Sequence, residues 1–277
     1  MRSVLGIDAA WSTTQPSGVA LVVEHDAGWS CGAVAPSYEE FIAIAEGTAV
    51  KWGEKTRRGS VPDVQGLLEA AESLAGAPVD LVAVDMPLAR SAFETRRPAD
   101  NEVSKEFGAR LCATHSPTAT RPGQLGRELT QQLADAGLSL ATSSMLSPQR
   151  SFIEVYPHPA LLSLLPSEKR VRYKVSKTRK YWPAEDAPTR IRKLLTELSA
   201  IHDALEISLG SLGFDLPTAT SHFSSLKRYE DALDALVCAW AGTEHLLGRT
   251  TPLGNHDAAI WCPTDVIRGR IPDKAMS

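Results

Sequence analysis

Long apolar runs and paired cysteines are both absent from the 277-residue sequence. No apolar stretch approaches the roughly 20 residues that a membrane-spanning helix needs. The opening residues, MRSVLGIDAAW, are apolar too briefly for a signal peptide. The four cysteines are widely spaced and form no C-x-x-C pair, which argues against a zinc site or a disulfide framework. These absences predict a cytoplasmic protein with no membrane partner.

A strong net charge is also absent, since 29 Lys and Arg against 33 Asp and Glu give −4 at pH 7. This balance provides no general attraction for nucleic acid, so any such binding must come from local patches. The length suits one large domain. We expect residues 1–277 to form a single domain with an insertion from about 88 to 150, because that stretch is irregular and rich in Arg, Pro, Ser and Thr.

Short apolar segments separated by turn-rich connections predict most of the strands. SVLGID, SGVALVVE and GWSCGAVA favour three antiparallel strands, and VDLVAVDMP favours a strand buried on both faces. RSFIEVYPHP predicts another strand, which ends at Pro157, and AAIWCP a last one. Helices are predicted in SYEEFIAIAEG, in VPDVQGLLEAAESLAG, over about 188 to 210, and in EDALDALVCAW at 230 to 240. The fold class is therefore α/β, with a sheet flanked by helices.

Carboxylates stand where several of these strands are predicted to end. Asp8 lies in GIDAAW, Asp85 in VDMPL and Glu154 in EVYPHP. Ligand sites of open α/β sheets gather at the carboxyl ends of parallel strands, so Asp8 and Asp85 converge if their strands are parallel neighbours. Asp231 and Asp234 are three residues apart, which places both on one face of a helix that can pack over the same edge.

A cluster of this kind needs a cation, because two carboxylates about 4 Å apart repel by roughly 4 kcal/mol at an effective dielectric of about 20. The motifs contain no lysine, so a divalent metal is the expected partner, and hard oxygen ligands favour Mg²⁺ or Mn²⁺. The dipole of the helix would ease the charge of its acid pair if that pair lies near the first turn. The alternative is that each acid is an ordinary turn or capping residue. The predicted metal ligands are Asp8, Asp85, Asp231 and Asp234, and the predicted catalytic residues are these four and Glu154.

These motifs, in their order, resemble those of the DUF429 family, a bacterial and archaeal domain of unknown function described as predicted nucleases with an RNase H-like fold. The similar pieces are GIDAAW, AVDMPL, RPADNEV, EVYPHP, YKVSK, DALDALVCAWAG and AAIWCP, which span nearly the whole chain. The resemblance implies an RNase H-like mixed sheet, with three antiparallel strands followed by parallel ones and helices on both faces. It also implies metal ligation by Asp8, Asp85 and one or both of Asp231 and Asp234. Further residues that match its patterns are Arg97, Asp100, Glu154, His158, Lys174 and Lys177.

The segment KRVRYKVSKTRKYW, residues 169–182, holds seven Lys or Arg residues, three aromatic residues and no acid. Cations neutralise phosphates and aromatic rings stack on bases, so this segment predicts a nucleic-acid partner, with a solvated loop as the alternative. Within it, Lys174 and Lys177 are the residues expected to reach a phosphate. His158, between two prolines, is predicted as a substrate contact that donates or positions a proton, or else as a helix-start residue. Arg97 is predicted to bind phosphate, or else to cover the surface.

Three functions remain open from the sequence. The first is a Mg²⁺- or Mn²⁺-dependent nuclease that hydrolyses phosphodiester bonds. The second is a non-catalytic module that keeps the fold and binds nucleic acid or a protein. The third is a phosphotransferase of the actin and sugar-kinase type, which is disfavoured because GIDAAW lacks phosphate-binding glycines and the later half has no Asp-Gly-Gly loop.

Overall fold

A computed structural model describes residues 1–54, 58–142, 150–218 and 222–267, so residues 143–149 of the predicted insertion lie outside the described residues. Eight strands in these ranges join one sheet. They are β1 (Ser3–Asp8), β2 (Gly18–His25), β3 (Gly28–Ala35), β4 (Leu81–Val84), β5 (Ser139–Leu140), β6 (Ser151–Val155), β7 (Thr250–Gly254) and β8 (Ala259–Pro263). Their order is β3-β2-β1-β4-β6-β8-β7, and β5 pairs with β6.

The predicted mixed sheet is confirmed by the pairing of these strands. β1, β2 and β3 are antiparallel neighbours, whereas β1, β4, β6 and β8 are parallel to one another. Strand β7 was not predicted; it is antiparallel to β8 and forms an edge of the sheet. Its sequence, TTPLG, contains Pro252, and an edge strand tolerates proline because one side of it has no neighbour to receive a hydrogen bond.

Eight α-helices are present in the described ranges, and none of the helices there is long and apolar enough to cross a membrane. Local signals explain several of their ends. Ser37 caps α1 by accepting from the backbone N–H of Glu40, and Gly76 ends α2 in a left-handed conformation. The helices are α1 (Tyr38–Ala45), α2 (Val64–Ala75), α3 (Pro98–Phe107), α4 (Leu125–Asp135), α5 (Pro157–Leu164), α6 (Thr178–Tyr181), α7 (Ala187–Leu209) and α8 (Phe223–Leu246).

Helices cover both faces of the sheet. α5, α7 and α8 pack on the face that carries Val4 and Ala83, and α1, α2 and α4 pack on the opposite face, which carries Leu5 and Val82. Helix α3, inside the predicted insertion, packs against β7 and β8. Successive residues along β1, and along β4, thus point into the two different cores. Both faces of each strand are buried, so neither strand alternates apolar with polar residues.

Helix α8 starts earlier than the sequence predicted, at Phe223. Asp231 is therefore more than two turns from the helix start, given about 3.6 residues per turn. The electrostatic effect of a helix end fades within its first turn. The predicted help from the helix dipole to Asp231 and Asp234 is therefore wrong, and their charges must be balanced by other groups.

Two glycines let α8 lie directly on the sheet. A Cβ atom on Gly6 of β1 would come within 2.2 Å of the carbonyl oxygen of Ala235, and one on Gly18 of β2 within 2.0 Å of the carbonyl oxygen of Asp231. Both distances are far below any contact that a real Cβ makes. The acidic part of α8 is consequently held against the ends of β1 and β2.

Candidate active site

The parallel strands bring three of the predicted acids to one edge of the sheet. Asp8 is the last residue of β1, and Asp85 comes directly after β4. The two strand ends are joined there, since the backbone N–H of Asp85 donates to the carbonyl of Ile7 at 2.9 Å. Glu154 lies on β6 opposite Val84, the last residue of β4. This arrangement follows from parallel pairing, which aligns the carboxyl ends of β1, β4 and β6.

A cleft of about 460 Å³ opens at this edge and combines acids with cations; it is called the acidic cleft below. Its carboxylates are Asp8, Asp85 and Asp231. Its cationic lining comes from several parts of the chain: Arg121, Lys174, Lys177 and Lys227. Asp234 is fully buried and lies beneath the cleft surface. The structure thus brings most of the predicted acids and both predicted lysines to one place.

One face of α8 carries four charged residues, of which the sequence analysis found only two. Lys227, Glu230, Asp231 and Asp234 follow the i, i+3, i+4, i+7 spacing of a single helical stripe. Lys227 donates to Glu230 at 2.8 Å and also contacts Asp231. Lys227 stands four residues before Asp231, and this spacing is a sequence signal for an intrahelical ion pair.

Lys174 and Tyr173 contact the same stripe from the basic segment. Lys174 forms an ion pair with Asp234 and lies 3.7 Å from Glu230, and the Tyr173 hydroxyl donates to Asp234 at 2.5 Å. Burial alone would lower the pKa of Lys174, but Asp234 and other nearby anionic groups raise it well above its ordinary value. The ammonium group of Lys174 is therefore charged. The basic segment is not only a loop, since it contains the short helix α6 and a 3₁₀ turn at Val175–Lys177.

Two lysines therefore accompany the acids, contrary to the expectation from the motifs. Lys174 and Lys227 neutralise part of the charge of three α8 carboxylates. Lys174 is 60 residues from Asp234 in the sequence, and Lys227 is four residues from Asp231. Only the second of these pairings is local enough to be found in a sequence. A cation from the protein replaces part of the role that was assigned to the metal.

Two carboxylates remain without such a partner. Among the described residues, no side-chain hydrogen bond or ion pair reaches Asp8 or Asp85, and the Oδ2 atom of Asp231 is buried without a hydrogen-bond partner. Burial, followed by the charge of Asp234, raises the pKa of Asp8 to about 7. Burial and the charge of Asp8 raise the pKa of Asp85 well above its usual range. These oxygens are unfavourably placed as free anions and need a proton or a cation.

The chemistry of the available donors, though not their present spacing, fits Mg²⁺ or Mn²⁺. Asp8, Asp85 and the unpartnered Oδ2 of Asp231 offer hard carboxylate oxygens and no sulfur or imidazole, which is the chemistry that these ions prefer. Asp234 fits less well, because one of its oxygens accepts from Tyr173 and the other from Lys174.

A second group of possible ligands lies on α7. Among the described residues, one set of three His, Cys, Asp or Glu side chains has its ligand atoms within 4.8 Å of one another, namely His202, Asp203 and Glu206. Its two acids are exposed, and none of the three lines the acidic cleft. The Nε2 atom of His202 is already hydrogen-bonded to the carbonyl of Phe214 at 2.9 Å. Asp8, Asp85 and Asp231 do not form such a set among the described residues, so their side chains would have to move closer together to share one ion.

Arg97 lies inside the protein, although it was predicted to bind substrate phosphate or cover the surface. It is 4% exposed, and all five of its guanidinium N–H bonds are used by Asp100, Glu154 and the carbonyl of Leu88. Glu154 in turn accepts from the backbone N–H of Leu88 at 2.8 Å. Arg97 and Glu154 therefore clamp the turn that follows Asp85, and their geometry supports positioning of that turn more directly than contact with a substrate.

His158 is in the first turn of α5 and lines a second cleft of about 270 Å³ together with Asp85, Glu154 and Lys174. Its ring is 4% exposed and makes edge contacts with the rings of Tyr156 and Tyr173 at 5.2 and 5.7 Å. Burial, and then nearby cations, lower the pKa of His158 well below its ordinary value. The ring is neutral at pH 7 in this setting, and its Nδ1 atom has no hydrogen-bond partner among the described residues.

A protein-family model described as "Protein of unknown function (DUF429)" matches residues 6–259, nearly the whole chain. The matched range contains every acid of the cleft, from Asp8 to Asp231, as well as Asp234 beneath it, and it confirms the resemblance seen in the motifs. No curated protein and no solved structure matches the chain.

Proposed function

The chain belongs to the DUF429 family, and from the chemistry of its acidic cleft we propose that it is a divalent-metal-dependent hydrolase of phosphodiester bonds in nucleic acid. The observation that carries the proposal is the meeting of uncompensated carboxylate oxygens with lysines in one cleft. Asp8, Asp85 and the Oδ2 atom of Asp231 need a cation, while Lys174 and Lys177 on the same cleft suit an anionic substrate.

Asp8, Asp85 and Asp231 would hold Mg²⁺ or Mn²⁺ between them. A bound ion of this kind supplies an activated water molecule and neutralises the charge that develops on the reacting phosphate. Asp234 acts indirectly, since it holds Lys174 as a charged ammonium beside the cleft. The predicted ligand set is thereby revised, with Asp234 as a positioning residue for Lys174.

The remaining cations of the cleft bind the substrate. Lys177 is exposed and lines the acidic cleft next to Lys174, and Arg121 lines it from another loop. Cationic donors of this type form short charge-assisted hydrogen bonds with phosphate oxygens. Arg97 and Glu154 hold the turn after Asp85, so that Asp85 keeps its place at the cleft. A non-catalytic binding module would use the cations and would have no need for the uncompensated carboxylates.

Calorimetric titration of Mg²⁺ and Mn²⁺ into metal-free protein tests the first half of the proposal. Wild type should bind the ion, and both Asp8→Asn and Asp85→Asn should weaken binding by at least about tenfold. Asp203→Asn is the matched control, because it removes the same group from the exposed ligand set on α7. Metal binding that survives Asp8→Asn and Asp85→Asn but is lost in Asp203→Asn would move the metal to α7.

Cleavage of fluorescently labelled single-stranded and duplex DNA and RNA tests the second half. Asp8→Asn should reduce the rate by at least about a hundredfold, while circular dichroism shows the fold retained. Equal cleavage by wild type and Asp8→Asn would rule out the hydrolase. Metal binding at Asp8 without cleavage of any polynucleotide would favour the binding module instead.

A further inference from the structure

A third cleft, of about 480 Å³, adjoins the acidic cleft and has a different lining. Its charged side chains are Arg170, Arg172, Lys177 and Lys180, and no carboxylate lines it. We call it the basic groove. Lys177 and His115 line both the basic groove and the acidic cleft, so one continuous surface connects the uncompensated acids with this concentration of positive charge.

The four cations of the basic groove are at most weakly neutralised by the protein, since the Glu197 carboxylate interacts with Arg172 without forming a close ion pair. None of them forms an ion pair with a carboxylate of the described residues, whereas Lys174 and Lys227 in the neighbouring cleft are both paired. The pKa of His115 reports the same positive field, because burial and then Lys177 and Arg170 lower it. A concave surface with four unpaired cations, on a chain whose net charge is −4, is suited to a polyanion.

Apolar surface accompanies these charges. Tyr181 lines the basic groove and packs edge-on against Trp182, with ring centroids 5.7 Å apart. Leu111 lines it too and is 61% exposed, which is unusual for a large apolar side chain. A phosphate alone has no use for such groups. A nucleobase does, because every base presents a flat apolar face that stacks on an aromatic ring beside a cationic backbone track.

We propose that the basic groove holds the single-stranded continuation of the nucleic-acid strand whose phosphodiester lies in the acidic cleft. Arg172, Lys177 and Lys180 contact its phosphates, and Tyr181 with Leu111 receives a base. The strand must be single in the groove, since the bases of a duplex are stacked on one another and present no free face to Tyr181. This inference rests on the proposed function in taking a phosphodiester as the reacting group, and it adds the substrate class.

Fluorescence anisotropy of the full chain in EDTA, with a labelled oligothymidylate of about 12 nucleotides, tests the groove without cleavage. Two variants remove the same charge from the same basic segment. Arg172→Gln with Lys180→Gln acts inside the groove, and Lys169→Gln with Arg179→Gln acts on exposed cations that do not line it. Tyr181→Leu removes the ring and keeps an apolar side chain.

The groove pair should weaken binding about tenfold and lower the slope of log K against log salt by about 1.4, since each contact with a single strand contributes about 0.7. The control pair should weaken binding less than about twofold, and Tyr181→Leu should weaken it about fivefold. Equal losses from the two pairs, no binding by wild type, or equal affinity for the corresponding duplex would each overturn the inference.

The groove and the hydrolase can fail separately. Wild type that hydrolyses bis(4-nitrophenyl) phosphate in Mg²⁺, but does not bind the oligonucleotide in EDTA, would keep the hydrolase and refute the groove. The converse result is oligonucleotide binding that depends on Arg172 and Lys180, together with equal rates of cleavage by wild type and Asp8→Asn. That result would support the groove as a binding site and refute the hydrolase.

Discussion

Replacing Arg97 with methionine should destabilise the protein far more than the loss of a surface charge. Methionine keeps an apolar, unbranched side chain but loses the guanidinium, which lies over the ring of Phe93 at 5.0 Å. It removes all five hydrogen bonds to Asp100, Glu154 and Leu88. The side chains of Asp100 and Glu154 are only 2% and 5% exposed, so water cannot replace the guanidinium.

Breaking a buried ion pair in this way costs about 3–5 kcal/mol, because the partner charges stay buried without compensation. A whole domain is stable by about 5–15 kcal/mol, so Arg97→Met should remove at least about a fifth of the stability. The penalty should shrink as the pH falls, because burial raises the pKa of Glu154 and its abandoned carboxylate then takes up a proton. Arg97→Met combined with Glu154→Gln should recover part of the loss.

Urea unfolding at neutral pH measures this penalty as a lower midpoint at constant slope. Lys105→Met is the control, because Lys105 is exposed on the same helix and its removal should change stability by less than about 0.5 kcal/mol. A loss below about 1 kcal/mol for Arg97→Met, the range of exposed ion pairs, would refute the clamp. Together with an increased KM, such a result would restore the substrate contact that the sequence suggested.

Three further outcomes are expected. In EDTA, stability should fall as the pH rises from about 4 to about 7, because folded Asp8 keeps its proton up to a pKa of about 7 and the unfolded chain releases it near 3.8. Melting curves of Asp8→Asn should show a shallower fall, and an unchanged slope would contradict this account. Lys227→Met should lower the free energy of unfolding in urea by about 1–3 kcal/mol, because its α8 partners are buried. Lys193→Met, which breaks an exposed ion pair, should lower it by less than about 1 kcal/mol. Equal losses in the two variants would count against the buried network. In an NMR titration, the pKa of His115 should rise when oligothymidylate is bound, since phosphates offset the cations that lower it, and a pKa that does not move at saturation would place the strand elsewhere.

The parts of the fold that were predicted correctly depend on local patterns. The three opening strands have short links, α2 has an apolar stripe that ends at Gly76, and α7 has a long helical period, so each is encoded within a few residues. The sequence analysis assumed, but did not derive, that β1 and β4 are parallel neighbours. Their pairing joins residues 77 positions apart, such as Val4 and Leu81. It follows from burial on both faces, which is itself a local property of each strand.

The charge balance of the site was not predictable in the same way. Arg97 contacts Glu154 across 57 residues, and Lys174 contacts Asp234 across 60. Nothing in either neighbourhood indicates the partner, so both cations were assigned to substrate and the acids were assigned to metal alone. Lys227 could have been found from its i, i+4 relation to Asp231, but the helix was predicted to begin too late to include it.

Gly18 pairs with Asp8 across β2 and β1, and it also lies beneath the backbone of Asp231. The small size of Gly18 therefore sets the distance between sheet and helix next to both Asp8 and Asp231. A methyl group on Gly18 would lift α8 there and lengthen the span between the two carboxylates. If the proposed ion binds between them, Gly18 would therefore influence which ion fits, although it has no side chain that could touch ion or substrate.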